Sequence, residues 1–266
     1  MQSSMELPLV LFTVLSQAAI GLVLMNAVRQ CRCAGPGEGN VRMEWTLIAA
    51  FMGVGIAASL FHLGHPLESY RALAHLEKAW LSREVLAAGI FFALAVLAAV
   101  TGREKGSPVL MWASVLAGLL VVLASGMTYA PPALPAVNNA LPTVFFLISA
   151  VVLGAGFASW FAGAESQPLL ARILVTALVV GLVVRLTVPC AWLSGSEVMR
   201  QTGMAWLGAP LYWVHIALMA ACLGVLWKSR AIPVWLPILA LAAELAGRAV
   251  FFSETIHTSM NIGGVY

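Results

Sequence analysis

The chain has 266 residues, of which 61% are apolar and only 9% charged, and its mean hydropathy is +0.95. That balance excludes an ordinary soluble domain. The net charge of +3 speaks against a nucleic-acid partner, because the 14 Lys and Arg are scattered singly and form no basic stripe.

A membrane span needs about 20 mostly apolar residues, so the length fills about eight spans and leaves nothing for a separate globular domain. The predicted spans lie at about 7–28, 43–62, 84–101, 108–129, 142–163, 170–192, 210–227 and 232–252. Period-2 alternation is absent and the runs are too long for barrel strands, so helices are the expected spanning form. The expected fold is all-α, one integral-membrane bundle over 1–266. The first run follows Glu6 and Pro8 without a basic n-region or a small-residue cleavage site, and reads as a retained span.

Orientation follows from the loop cations. Loops 1–2, 3–4, 5–6 and 7–8 hold Arg29, Arg32, Arg42, Arg103, Lys105, Arg172, Lys228 and Arg230, whereas the opposite loops hold Arg71, Lys78, Arg83 and Arg200. Eight against four favours both termini outside. The loop at 63–83 is the longest polar connection and suggests an amphipathic helical turn on the outer surface. The loop at 130–141, APPALPAVNNAL, carries three prolines and no charge, as a rigid surface against another protein would.

Ionisable groups inside spans are costly and face the bundle interior or a cavity. In this topology Arg185, Glu244 and Arg248 lie in the outer halves of their spans. His62 closes span 2, Glu84 opens span 3, His215 sits about a turn inside span 7, and the tail brings His257 to the same side. Glu244 and Arg248 are an i,i+4 pair that either ties helices together, with Arg185, or serves a site. His215 reads more simply as a satisfied interior histidine. His62 and Glu84 flank one loop, so they can meet, and such a pair suits proton acceptance at a membrane boundary. His62 as an interfacial histidine and Glu84 as a first-turn carboxylate favoured by the helix dipole are the plainer alternatives. The histidine placement does not suit a transmembrane haem pair. Cys31, Cys33, Cys190 and Cys222 have no metal-ligand spacing, so no metal is expected.

Four stretches, L-F-T-V-L-S-Q at 11–17, S-L-F-H-L-G-H-P at 59–66, L-S-R-E at 81–84 and A-E-L-A-G-R-A-V-F-F at 243–252, resemble the DmsC-type membrane anchor of dimethyl sulfoxide reductase. The likeness runs through most of the chain in the same order. The resemblance implies a three-subunit complex in the cytoplasmic (inner) membrane of a prokaryote, with the partner subunits on the outer face. There the anchor oxidises menaquinol, releasing menaquinone, and passes electrons to a four-cluster iron–sulphur subunit, which feeds a molybdopterin catalytic subunit. It also implies that the anchor itself holds no haem and no iron–sulphur cluster. The family's quinol-site histidine in H-L-G-x-P matches His62, with Gly64 and Pro66 completing the motif, and its carboxylate at the start of the third span matches Glu84. Glu244 and Arg248 match its E-L-x-G-R. A basic residue expected after H-L-G-x-P falls on Glu68, and Arg71, one turn on, is its candidate replacement. The tail around His257 departs from the family spacing.

The expected site is therefore a menaquinol headgroup near the outer face, contacted by His62, Gly64, Pro66, Arg71, Glu84, Glu244, Arg248 and His257. His62 would bond a quinol oxygen and Glu84 would carry protons outward. The same anchor running in reverse, reducing quinone for a sulphur or oxyanion oxidation, is compatible with these residues. A transporter or channel lined by Arg185, Glu244 and Arg248 is the reading of another class; against it stand the absence of a Gly/Pro-broken span in two matching halves and of charge at the midplane.

Overall fold

A computed structural model of the protein describes residues 7–32, 40–60, 72–101, 107–227, 229 and 231–258. Among these the chain forms nine α-helices and no strand: α1 Leu7–Arg32, α2 Val41–Leu60, α3 Trp80–Thr101, α4 Pro108–Thr128, α5 Leu141–Ala158, α6 Gln167–Trp192, α7 Glu197–Gly208, α8 Pro210–Leu226 and α9 Leu236–Glu254. The helices α1 to α6 and α9 are each long and apolar enough to cross a membrane, with α5 extended by a short 3₁₀ turn to Phe161. Helices α7 and α8 reach that length only together, as a pair bent by 64°. The all-helical, multi-pass expectation holds.

Local sequence explains where the helices begin. Proline stands in the first turn of α4, α5, α6, α8 and α9, where its missing N–H would have had no intrahelical partner and its fixed φ suits the helix. Ser107 caps α4, its hydroxyl accepting from Leu110 N at 3.4 Å.

If the bent pair counts as one crossing, the crossings number eight, and the start of α1 and the end of α9 share one face, called here the terminal face. Hydrogen bonds at both ends fit this. Thr258 N in the tail donates to Ala133 O in the α4–α5 loop at 3.0 Å, and Ile256 N donates to the Thr202 hydroxyl of α7 at 3.2 Å. On the opposite face Trp160 Nε1 donates to Val234 O at 2.9 Å. Exposed tryptophans fall into two belts, Trp80 and Trp213 towards the terminal face and Trp112, Trp160, Trp227 and Trp235 towards the other, as amphipathic rings do at headgroup level.

Three sequence expectations change. The stretch 193–209 is not a plain connection: α7 buries Val198, Thr202, Gly203 and Trp206 along one side and exposes Glu197 and Arg200. A Gly/Pro-marked break therefore does exist, at Gly208–Ala209–Pro210, although once and not in matching halves. Arg29 is no loop residue; it lies within α1, donates to Glu44 of α2 at 2.5 Å and to Phe161 O at 3.0 Å, and its side chain is 12% exposed. Its charge is thus neutralised within the bundle and bears little on orientation. In the 63–83 connection, the expected helical turn is present among the described residues as a 3₁₀ turn at 72–75, followed by a turn at 76–78 before α3.

Helix α1 runs through the middle of the bundle, packed against α2, α4, α5 and α9. Its closest neighbour is α5, because Gly21 and Gly154 face one another: a Cβ at Gly21 would overlap the Ala150 carbonyl, and one at Gly154 would overlap the Gly21 backbone. Small residues let membrane helices approach this closely. Gly21→Leu is expected to destabilise the bundle by more than about 3 kcal/mol, beyond the usual overpacking cost, since backbone atoms cannot retreat; thermal unfolding in detergent measures it, with Gly89→Leu, where a Cβ meets nothing within 4 Å, as the tolerated control.

Candidate functional site

Two buried polar clusters lie inside the apolar bundle. The first is built on Glu84. The extra turn that starts α3 at Trp80 puts Glu84 about 6 Å along the helix from its start, and not at its opening as the apolar run suggests. Glu84 is 1% exposed. The Ser125 hydroxyl of α4 donates to its Oε1 at 2.7 Å and the Thr128 hydroxyl also lies near the carboxylate, while Oε2 is buried and has no hydrogen-bond partner among the described residues. A carboxylate oxygen sealed from water with no donor is costly, and such an oxygen marks a place for a ligand, a water or a proton. An apolar groove of about 230 Å³ also opens between α3 and α4, with Trp80 and Arg83 at one end and Ile90 and Ala117 at the other. Arg83 stacks 4.3 Å from the Trp80 ring and donates to Leu76 O and Glu77 O, closing the turn before α3.

The second cluster gathers Gln17 of α1, Ser149 of α5, Arg185 of α6, His215 of α8, and Glu244 and Arg248 of α9. Arg248 Nη2 donates to Gln17 Oε1 at 2.6 Å and to Ser149 Oγ at 3.0 Å, and the Ser149 hydroxyl donates to Glu244 Oε2 at 2.6 Å. Glu244 and Arg248 do share a face, yet they are joined through Ser149 rather than by a direct hydrogen bond. Each arginine also lies over a ring, Arg248 at 4.0 Å from Phe146 and Arg185 at 4.0 Å from Phe145, an arrangement that offsets part of the cost of burying a cation. The Tyr212 hydroxyl donates to Arg185 O at 2.9 Å. His215 Nδ1 donates to Ala243 O at 2.7 Å, and its ring presses on Gly247, where a Cβ would come within 2.7 Å. The interior histidine is half satisfied: among the described residues Nε2 has no partner, nor have Arg185 Nη1 and Arg248 Nε and Nη1.

Because α9 continues to Glu254, Glu244 lies about 15 Å along the helix from that end, half the roughly 30 Å apolar thickness. The expected absence of charge near the midplane therefore does not hold. Nor do the two clusters merge. Helix α3 packs on α2 and α4, whereas α9 packs on α1, α5, α7 and α8, and no hydrogen-bonded partner is common to both groups. His257 stands in the short tail after α9, at the terminal face. His62, Gly64, Pro66 and Arg71 lie outside the described residues. Among the described residues no group of three His, Cys, Asp or Glu could hold a metal ion.

Sequence reasoning did not single out Ser125 or Ser149, and Gln17 entered only as part of a motif. Their one signal was a polar residue inside an apolar run; which neighbour each would meet depends on helix rotation. Arg248→Leu with Glu244 retained should cost about 3–5 kcal/mol, the penalty for breaking a buried polar tie on one side, and Gln17→Leu about 1.5–3 kcal/mol, one hydrogen bond to a charged group. Unfolding midpoints in detergent compare the two; equal stability of Arg248→Leu and wild type would disprove the tie.

Comparison with known proteins accords with this architecture. The protein is 34% identical over 160 residues to the C subunit of the anaerobic dimethyl sulfoxide reductase of Haemophilus influenzae, and 28% identical over 155 residues to the anaerobic dimethyl sulfoxide reductase subunit YnfH of Escherichia coli. Each of those matches covers 56% of this protein and 55% of the relative, so it spans about half of that relative's length. The protein is also 29% identical to the C subunit of the Escherichia coli anaerobic dimethyl sulfoxide reductase, over an alignment of 293 positions that covers 97% of both. Residues 1–253 match the family model described as DMSO reductase anchor subunit (DmsC), and this multi-pass helical membrane protein belongs to that family.

Proposed function

We propose that the chain is the menaquinol-oxidising anchor of a three-subunit reductase and that Glu84 is the proton acceptor of its quinol site. The observation that carries this is the buried Glu84 Oε2, which has no partner among the described residues, on a carboxylate whose other oxygen is held by Ser125. Oxidation of menaquinol to menaquinone releases two electrons and two protons, and a carboxylate shielded from solvent yet a turn from the membrane surface suits uptake of the protons, one at a time. His62, in the connection between α2 and α3, would bond a quinol oxygen. The isoprenoid tail would follow the groove between α3 and α4 into lipid.

The electrons would leave to an iron–sulphur cluster in a subunit docked on the terminal face, and from there reach a molybdopterin subunit. That face would be the outer side of a prokaryotic cytoplasmic membrane. The α4–α5 loop and the tail bonded to it through Ala133 and Thr258 form the uncharged surface suited to the contact. With both protons and both electrons leaving on one side, the half-reaction would move no net charge across the membrane. The second cluster would serve this site indirectly, by holding α1, α5 and α9 in register.

In the assembled complex, Glu84→Gln and His62→Gln should each slow quinol-driven turnover about 100-fold or more, the scale of a lost general acid or base. Reduction driven by an artificial dye that feeds the catalytic subunit directly should stay at the wild-type rate. Ser125→Ala should fall between. Wild-type quinol oxidation by Glu84→Gln would remove that residue from the pathway.

A further inference from the structure

The face opposite the termini holds a cavity that the quinol site does not use. It lies between the start of α6 and the end of α8, has a volume of about 720 Å³, and is walled by Arg172, Thr176, Leu226, Trp227 and Ser229. A second hollow of about 390 Å³ adjoins it between α5 and α6, walled by Ile148, Val151, Ile173 and Val180. Arg172 and Thr176 belong to both. The two hollows therefore share one wall and are called together the channel here, its first part polar near the membrane surface and its second apolar.

The direction of the channel follows the helix. From Arg172 to Val180, α6 descends about 12 Å of the roughly 15 Å depth of one leaflet. At its upper end are an exposed guanidinium with no hydrogen-bonded or ionic partner among the described residues, the Thr176 side chain and Trp227, which is 76% exposed. A cation at headgroup level, an amphipathic ring beside it and an apolar trough beneath are complementary to a phosphodiester that carries an acyl chain. A soluble anion would leave the trough unfilled, and a neutral tail would leave Arg172 unanswered.

We propose that this channel is a binding site for one anionic phospholipid, its headgroup phosphate on Arg172 and Thr176 and one acyl chain between α5 and α6. The site wedges α6 against α5 and α8, on the side of the bundle away from the proposed quinol chemistry.

Native mass spectrometry of the purified full-length protein tests it, after reconstitution in phosphatidylcholine vesicles containing a minority of phosphatidylglycerol. The wild type should keep phosphatidylglycerol in preference to phosphatidylcholine when detergent strips the remaining lipid. Arg172→Gln should lower that preference about fivefold, the effect of one basic residue at a lipid surface, and Arg172→Lys should retain most of it. Arg42→Gln removes an exposed cation from the same face outside the channel and should change nothing. Thr176→Trp keeps the charge but fills the junction, and should expel the lipid; it decides the matter if Arg172→Gln does not fold. Wild-type retention of phosphatidylglycerol by both Arg172→Gln and Thr176→Trp overturns the proposal. So does displacement of the lipid by inorganic phosphate alone, which would make the site one for a free anion.

Discussion

The rest of the bundle depends on how closely α1 approaches α5. With no Cβ at Gly21 or Gly154, the two backbones meet, and one turn before Gly21 this brings Gln17 to the level of Ser149. A single guanidinium nitrogen, Nη2 of Arg248, then reaches both. Each feature needs the other: without the small residues Arg248 would lose one of its two acceptors, and without Arg248 two polar side chains would face each other in an apolar interior. In a bilayer no water makes up such a loss, so polar ties of this kind fix helix register in a way that apolar packing against lipid cannot.

This tie also orders the second layer of aromatic packing. Arg248 lies over Phe146 and Arg185 over Phe145, and Trp206 from α7 sits with its ring 6.1 Å from Phe145 and 5.0 Å from Trp192. Tyr129 packs on Phe146 and Phe252 at 5.8 and 5.1 Å, so the end of α4 is bound to α5 and α9. Ser125, the donor to Glu84, lies one turn before Tyr129 on the same helix. The rigid interior thus extends to the edge of the proposed quinol site, where a carboxylate with a free oxygen needs a fixed neighbour and a mobile ligand.

Cost and use separate the two clusters. The second cluster places two arginines against one carboxylate, with several donors left unpartnered, yet most of its hydrogen bonds run between helices. The first has a single carboxylate, one serine and an unfilled acceptor, and its helix adjoins both lipid and the terminal face. Structural ion networks and catalytic groups can look alike in a sequence, since both put ionisable residues in apolar runs. What distinguishes them here is where the hydrogen bonds go.

Composition and run length by themselves determined that the chain is a multi-pass helical membrane protein, because lipid admits few alternatives to the helix and apolar length sets the number of crossings. Four short motifs in order were enough to point to the anchor family. Tertiary structure alone decided that 193–209 holds the amphipathic helix α7, since its buried residues number four in twelve and leave no long apolar run. It alone decided that Arg29 belongs to an interior pair with Glu44, and that Glu244 and Arg248 meet through Ser149 and not directly. These depend on how each helix is rotated and which neighbour it meets, and in chains this uniformly apolar the pattern along one helix carries little record of either.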